Sequence, residues 1–225
     1  MSDRLIIYDL ETASVYGLSK VDDRIVVCDF RNSELRSLEI NTKTHEMSLQ
    51  MNDQESEVEC EDVCLDLDTD GRRWEGGVKD GLLCGYGCLY NSEGRVVYQG
   101  YMMNGKKICY GKEFSDDINQ VKYSGSFLNG KRFGPGILYN RNGGIEYDGL
   151  WRDDKPRSAE FDGRFIDNYN ETVVIADNSF NSPEQLMLTS FFSNLRQFTI
   201  GSDCFEKAEN FYLDGLHKLE HLVIG

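Results

Sequence analysis

Apolar and polar residues alternate over most of this chain, and the alternation is broken at regular intervals by Asn-Gly or Asp-Gly. The pattern is clearest from residue 74 to 157. An aromatic ring, a glycine and a large apolar residue follow one another in steps of two: Trp74, Gly76, Val78; Tyr98, Gly100, Met102; Tyr123, Gly125, Phe127; Tyr147, Gly149, Trp151. Steps of two put all three on one face of a strand, so the ring can lie over the bare glycine of a neighbouring strand. Asp80-Gly81, Asn104-Gly105 and Asn129-Gly130 come next. They supply the positive φ that two-residue hairpin turns require. A second strand follows each turn, entered through glycine and reaching Tyr90, Phe114 or Tyr139. The aromatic openers stand 24, 25 and 24 residues apart. Such a period predicts a repeat array in which each hairpin buries its apolar face only by stacking on the next.

These units resemble the membrane occupation and recognition nexus (MORN) repeat, which runs Tyr-x-Gly-x-x-x-x-Gly-x-x-x-Gly-x-Gly. Trp74 to Gly87 and Tyr123 to Gly136 match at nearly every defining position. The middle unit has Cys109 where the third glycine is expected. The fourth has Asp154 at the turn glycine and stops near Pro156, and a shortened echo, Phe161-Asp162-Gly163-Arg164-Phe165, follows it. The resemblance implies a β-hairpin solenoid, and the family's name implies contact with membranes.

The first fifty residues also predict strands. Leu5 to Tyr8 turns through Asp9 to Thr12 into Val15-Tyr16, Leu38 to Ile40 turns through Asn41 to Thr44 into Met47 to Leu49, and Ile25 to Cys28 reads as a buried strand between them. This segment is either a β cap for the array or a remnant of propeller-like blades. Beyond Gly163 the pattern changes. Val174-Ile175-Ala176 recurs after 25 residues as Thr199-Ile200-Gly201 and after 24 more as Val223-Ile224-Gly225. Phe180 and Leu186 recur as Phe205 and Phe211, and Leu195-x-x-Phe198-x-Ile200 as Leu219-x-x-Leu222-x-Ile224. This run resembles an irregular leucine-rich repeat. The chain is therefore expected to be mainly β, a stacked β-hairpin solenoid of MORN type continued by a short leucine-rich-repeat segment. The expected divisions are a β segment or cap at 1–51, an acidic connector at 52–73, hairpin repeats at 74–170 and the leucine-rich-repeat-like segment at 171–225. The last repeat presents an open apolar edge at Gly225, which predicts a longer parent chain, self-association or a partner that covers it.

Charge changes the functional picture. The net charge of −15 is unevenly spread. Residues 1–73 carry 8 basic and 18 acidic side chains (−10), residues 74–157 carry 12 and 10 (+2), and residues 158–225 carry 4 and 11 (−7). Acidic flanks argue against nucleic acid, which needs a basic face to displace counterions. The near-neutral array is the segment that an anionic surface would repel least. No run approaches 18 apolar residues, and Met1 to Leu5 lacks the apolar core of a signal peptide, so a cytoplasmic protein is expected, with peripheral membrane attachment as the alternative. The seven cysteines are accordingly read as reduced thiols.

Several motifs touch on chemistry without carrying it. Asp66-x-Asp68-x-Asp70-Gly71 opens like a calcium loop, but its twelfth position is Gly77 rather than glutamate. Cys60-x-x-x-Cys64 and Cys84-x-x-x-Cys88 suggest a thiolate zinc site, yet the second pair lies in a predicted strand. His217-Lys218-Leu219-Glu220-His221 has the form of an inverted zinc-protease motif, which needs a helix where a repeat strand is expected, with His45 as the remaining histidine. Asn170-Glu171-Thr172 is a glycosylation acceptor pattern, expected to stay unmodified. With no catalytic constellation, no cofactor fingerprint and no metal site, the chain is expected to be a non-enzymatic protein-interaction scaffold. The alternative is attachment to anionic, phosphoinositide-type lipid through Lys106, Lys107, Lys131 and Arg132. These four occupy equivalent turn positions in successive hairpins and are expected to lie side by side.

Overall fold

The computed structural model describes residues 3–11, 14–31, 34–51, 54–157, 161–181, 183 and 185–225. The protein is mainly β, built from antiparallel hairpin sheets and, near its end, short parallel strands. Strands β1 (Asp3–Asp9), β2 (Ser14–Val21), β3 (Arg24–Arg31), β4 (Glu34–Asn41), β5 (Met47–Met51) and β6 (Gln54–Glu57) are neighbours in that order. Nine strands follow as a second sheet, also in sequence order. They are β7 (Glu61–Asp66), β8 (Arg73–Lys79), β9 (Leu82–Tyr90), β10 (Val96–Met103), β11 (Lys106–Phe114), β12 (Val121–Leu128), β13 (Lys131–Tyr139), β14 (Ile145–Arg152) and β15 (Lys155–Pro156). The chain then forms β16 (Phe165–Asp167), β17 (Thr172–Ile175), β18 (Gln185–Leu188), a 3-10 turn at Ser190–Phe192, β19 (Gln197–Ile200), β20 (Asn210–Leu213) and β21 (His221–Ile224).

Two compact units result, and neither is a continuous stretch of chain. One gathers Met1–Glu39, Gln50–Glu55 and Ser158–Gly225, the other Ile40–Leu49 and Ser56–Arg157. The reason for the first grouping is a strand pairing. The shortened echo after Pro156 does not join the hairpin sheet: Phe165 pairs with Asp9, and β16 lies antiparallel to β1. Asn168 fastens the same junction, its side-chain oxygen accepting from the Ile6 amide at 3.1 Å.

In this first unit the apolar positions of β1 and of the parallel strands share one core. Ile6, Leu10 and Ile166 pack with Val173, Ile175, Leu186, Leu188, Phe198 and Ile200, all 5% exposed or less. Strands β17, β19 and β21 pair in parallel with Val174 opposite Thr199 and Thr199 opposite Val223. Strands β18 and β20 form a second parallel pair. The connecting loops repeat as well. Asn178 and Phe180 have φ of 57°, Asp203 and Phe205 of 55°, and the two phenylalanine rings stack at 5.8 Å.

The second unit is the nine-stranded sheet with the segment 40–49. Its turns have the left-handed conformations that Asn-Gly and Asp-Gly favour: Asn104 and Gly105 at φ 49° and 72°, Asn129 and Gly130 at 51° and 89°. Asp153 and Asp154 adopt the same shape at 51° and 68° without a glycine. Cross-strand register then aligns seven glycines in one row: Gly76, Gly87, Gly100, Gly111, Gly125, Gly136 and Gly149. The opening rings lie over this row, and a Cβ on Gly111 would come within 2.6 Å of the Tyr98 hydroxyl. Each ring also donates, across its glycine, to the carbonyl three residues ahead. Trp74 Nε1 reaches Gly77 O (3.0 Å), Tyr98 Oη reaches Tyr101 O (2.9 Å), Tyr123 Oη reaches Ser126 O (3.0 Å) and Tyr147 Oη reaches Leu150 O (2.9 Å). That rule explains why the opener is tryptophan in the first repeat and tyrosine in the next three. Both place a donor at the far end of a large apolar body. Edge-to-face contacts link Tyr98, Phe127, Tyr123, Trp151 and Tyr147 into one column, with centroids 5.2–5.6 Å apart.

Candidate interaction surface

Strand alternation decides where the four basic residues singled out from the sequence go. Lys107 stands opposite Met102 and Arg132 opposite Phe127, so both point to the aromatic face. Lys106 and Lys131, one residue earlier, point to the reverse face. The four therefore do not form one cluster. The structure brings Lys107 and Arg132 together through Glu113: Lys107 Nζ donates to Oε1 at 2.5 Å, and Arg132 Nη2 and Nε donate to Oε2 at 2.6 and 2.9 Å. Lys107 lies over the Tyr98 and Phe127 rings, at 5.0 and 5.4 Å, and Arg132 over Tyr123 and Trp151, at 4.7 and 5.2 Å. Each cation thus fills the step between successive aromatic pillars. Burial pushes the Glu113 carboxyl up, but the hydrogen bonds and charges of Lys107 and Arg132 outweigh it and hold it below the usual carboxylate range. Lys131 is ion-paired with Asp153 in the next turn. Among the described residues no acid pairs with Lys106.

The reverse face of the same sheet carries a different surface. The residue before each row glycine points there, and in β9, β11 and β13 it is Tyr86, Tyr110 and Pro135. Tyr86 pairs with Tyr101, and the His45 ring, from the 40–49 segment of this unit, stacks on Tyr86 at 4.0 Å. His45 Nδ1 is 2.7 Å from the Tyr101 hydroxyl. Burial pushes the Tyr101 phenol up to about 12, so it serves as a neutral hydrogen-bonding group at any physiological pH. Beyond this cluster the face opens. Tyr110 is 41% exposed with its hydroxyl 2.5 Å from Ser124 Oγ, and Lys112, Pro135 and Asp148 are exposed. The repeat reading drew attention to the openers and turns and missed this surface. The signal was available in the alternation, one position before each second-strand glycine.

The remaining motifs resolve into local structure. Asp68 holds its own turn, Oδ1 accepting from the Asp70 and Arg72 amides at 3.1 and 3.0 Å, and the chain continues into β8 rather than a helix. His217 lies in the loop before β21, His221 opens that strand, and the intervening Glu220 pairs with Arg196 at 2.7 Å. Asn170 is 2% exposed, its Oδ1 accepts from the Asp167 amide at 2.8 Å, and its Nδ2, the atom a glycan would take, is buried. Among the described residues no group of three or more His, Cys, Asp or Glu side chains is placed to hold a metal ion, and no helix is long and apolar enough to cross a membrane.

One expectation from the sequence is corrected. The cysteines are not all reduced thiols, because Cys60 and Cys84 are joined by a disulfide with their Cα atoms 6.1 Å apart. Cys64, Cys88, Cys109 and Cys204 are free. Burial pushes the Cys88 and Cys109 thiols up, which keeps them protonated and unreactive. The overlooked signal was Gly77, a glycine outside the repeat pattern, whose absent side chain leaves room for the bridge.

Compared with known proteins, the chain matches no protein-family model and no curated protein sequence.

Proposed function

We propose that the chain is a non-enzymatic protein-interaction scaffold, a MORN-type hairpin solenoid continued by a leucine-rich-repeat segment, that engages a protein partner through the reverse face of its nine-stranded sheet. The observation that carries this reading is the division of labour between the two faces. The aromatic face is occupied by its own rings and by the Lys107–Glu113–Arg132 group. The reverse face leaves Tyr110, Lys112, Pro135 and Asp148 exposed. A sheet face bearing an exposed tyrosine among mixed charges has the make-up of a protein-binding patch, in which aromatic side chains supply most of the energy.

The lipid alternative draws less support. Of its four residues, Lys107 and Arg132 share Glu113 and Lys131 is held by Asp153, so the field they present outward is small. The test is photocrosslinking from position 110 in the full chain, with position 127 on the aromatic face as the control. Liposomes with and without phosphoinositide are assayed alongside. A protein adduct at 110 that is abolished by Lys112→Glu with Tyr110 replaced supports the reading. Sedimentation with phosphoinositide liposomes, lost on Lys106→Ser with Lys131→Ser, would replace it with the lipid one.

A further inference from the structure

The nine-stranded sheet carries a covalent tie that spans a strand. Cys60 immediately precedes β7, Cys84 lies in β9, and β8 runs between them. Strands two places apart in a sheet are separated by roughly 9.6 Å, beyond the reach of a disulfide. The bridge closes because Cys60 stands outside the paired run and crosses β8 at Gly77. A Cβ on Gly77 would lie 2.9 Å from the Cβ of Cys60. At the corresponding place, three residues after the opener, the later repeats carry Tyr101, Ser126 and Leu150. The bare residue is thus peculiar to the repeat that is bridged.

Strand β7 has little else to hold it. Among the described residues it pairs on one side only, with β8, and forms the end of its sheet. Five of its six residues are exposed. Glu61, Asp62 and Asp66 repel one another along it, with Glu57 and Glu59 just ahead. An edge strand that buries no side chain sits at the low end of local stability. Cys84, by contrast, is 1% exposed and belongs to a strand paired on both sides. The bridge therefore ties an exposed edge strand of the sheet to one of its fixed ones.

We propose that the Cys60–Cys84 bridge is a thiol–disulfide switch that decides whether the acidic strand β7 belongs to the sheet. The co-reactant is a dithiol. One of its thiolates attacks the half-buried Cys60 Sγ, the S–S bond breaks, and Cys84 leaves and takes up a proton. The second thiol of the reagent then displaces Cys60, which is protonated in turn. Two electrons and two protons pass to the protein, giving two cysteine thiols and one oxidised dithiol. A disulfide reagent reverses each step. The protonated Cys88 and Cys109 thiols do not compete as attacking groups. With the bridge open, β7 is held by its ladder to β8 alone and departs readily, uncovering the backbone edge of β8. This inference stands apart from the partner-binding reading, since it concerns the opposite end of the sheet from Pro135 and Asp148.

The experiment is hydrogen exchange on the full chain, oxidised and then treated with dithiothreitol, with differential alkylation reporting each cysteine. In the oxidised chain Cys60 and Cys84 resist alkylation and Cys64 is labelled. On reduction, the β8-paired amides of residues 61–66 exchange on the order of ten-fold faster, while those of 121–128 do not change. Cys60→Ser with Cys84→Ser shows the fast exchange with or without reductant, and Cys64→Ser behaves as the native chain. Labelling of both Cys60 and Cys84 without reductant overturns the proposal. So does exchange at 61–66 that reduction leaves unaltered. Should the double variant also lose protection at 121–128, the native chain's response to reduction decides alone.

Discussion

Two regions of this molecule share a period and reach opposite architectures. Residues 74–157 and 172–224 both recur every 24 or 25 residues, and each period holds two strands. In the first, both strands join the same sheet and run antiparallel. In the second, one strand of each period joins the three-stranded sheet and the other the two-stranded sheet, parallel to their equivalents. Period alone therefore does not set strand polarity; the turn does. Two residues of Asn-Gly type return the chain directly alongside itself. The nine residues between β17 and β18 carry it away, so that each strand meets its counterpart from the next period instead. The cores differ accordingly. Around the parallel strands, side chains fill space with aliphatic volume and phenylalanine. In the hairpin sheet space is made by removing side chains, so that rings lie on glycine.

That difference can be tested by changes that should act on one region and spare the other. The largest effect is expected from Phe198→Ala. It empties a fully buried site beside Val173 and Ile200 and should cost about 4 kcal/mol in denaturant unfolding, with exchange rising at 172–200 before it rises at 98–139. Gly136→Ala should produce the reverse pattern. Here an added methyl runs into the Tyr123 ring, at a cost of about 3 kcal/mol read in the hairpin sheet. A ring removed harms one core and a methyl added harms the other.

Glu113→Gln should follow at about 2 kcal/mol, since Lys107 and Arg132 would be left half-buried without their carboxylate. Its pH dependence sharpens the point. The folded carboxyl titrates below its unfolded value of about 4.3, so its contribution is complete above that value and is lost as pH falls through the folded one. The native chain should therefore lose stability on acidification below about pH 4 more steeply than the glutamine variant, by thermal melts from pH 3 to 7. Tyr123→Phe, which keeps the ring and removes only the donor to Ser126 O, should cost about 1 kcal/mol, again confined to the hairpin sheet.

The hairpin strands, their two-residue turns and the ring-over-glycine contact were legible in the sequence because each rests on residues of a single hairpin, as Tyr98 and Gly111 do. Asn104-Gly105 specifies its turn wherever it occurs. The offsets of 25 and 24 likewise match the residue-for-residue pairing of Val174, Thr199 and Val223. The face taken by Lys107 and Arg132 was legible too, but reading them as turn residues overlooked that adjacent strand positions point opposite ways. Glu113 could not be found from their spacing, since it meets Lys107 six residues along the same strand and Arg132 from a strand two places away.

What the amino-acid sequence determined by itself is local: strand, turn, period and the alternation of faces, all set by backbone preference and side-chain size. What only the tertiary structure decided is which distant segments meet. It put β16 beside β1, so that the first 39 residues share a compact unit with the last 68. It set His45 on Tyr86, joined Cys60 to Cys84 over Gly77, and closed Lys107 and Arg132 onto Glu113. Those contacts depend on which surfaces remain unburied once the local elements have formed, a property of the assembled chain and of no short stretch within it.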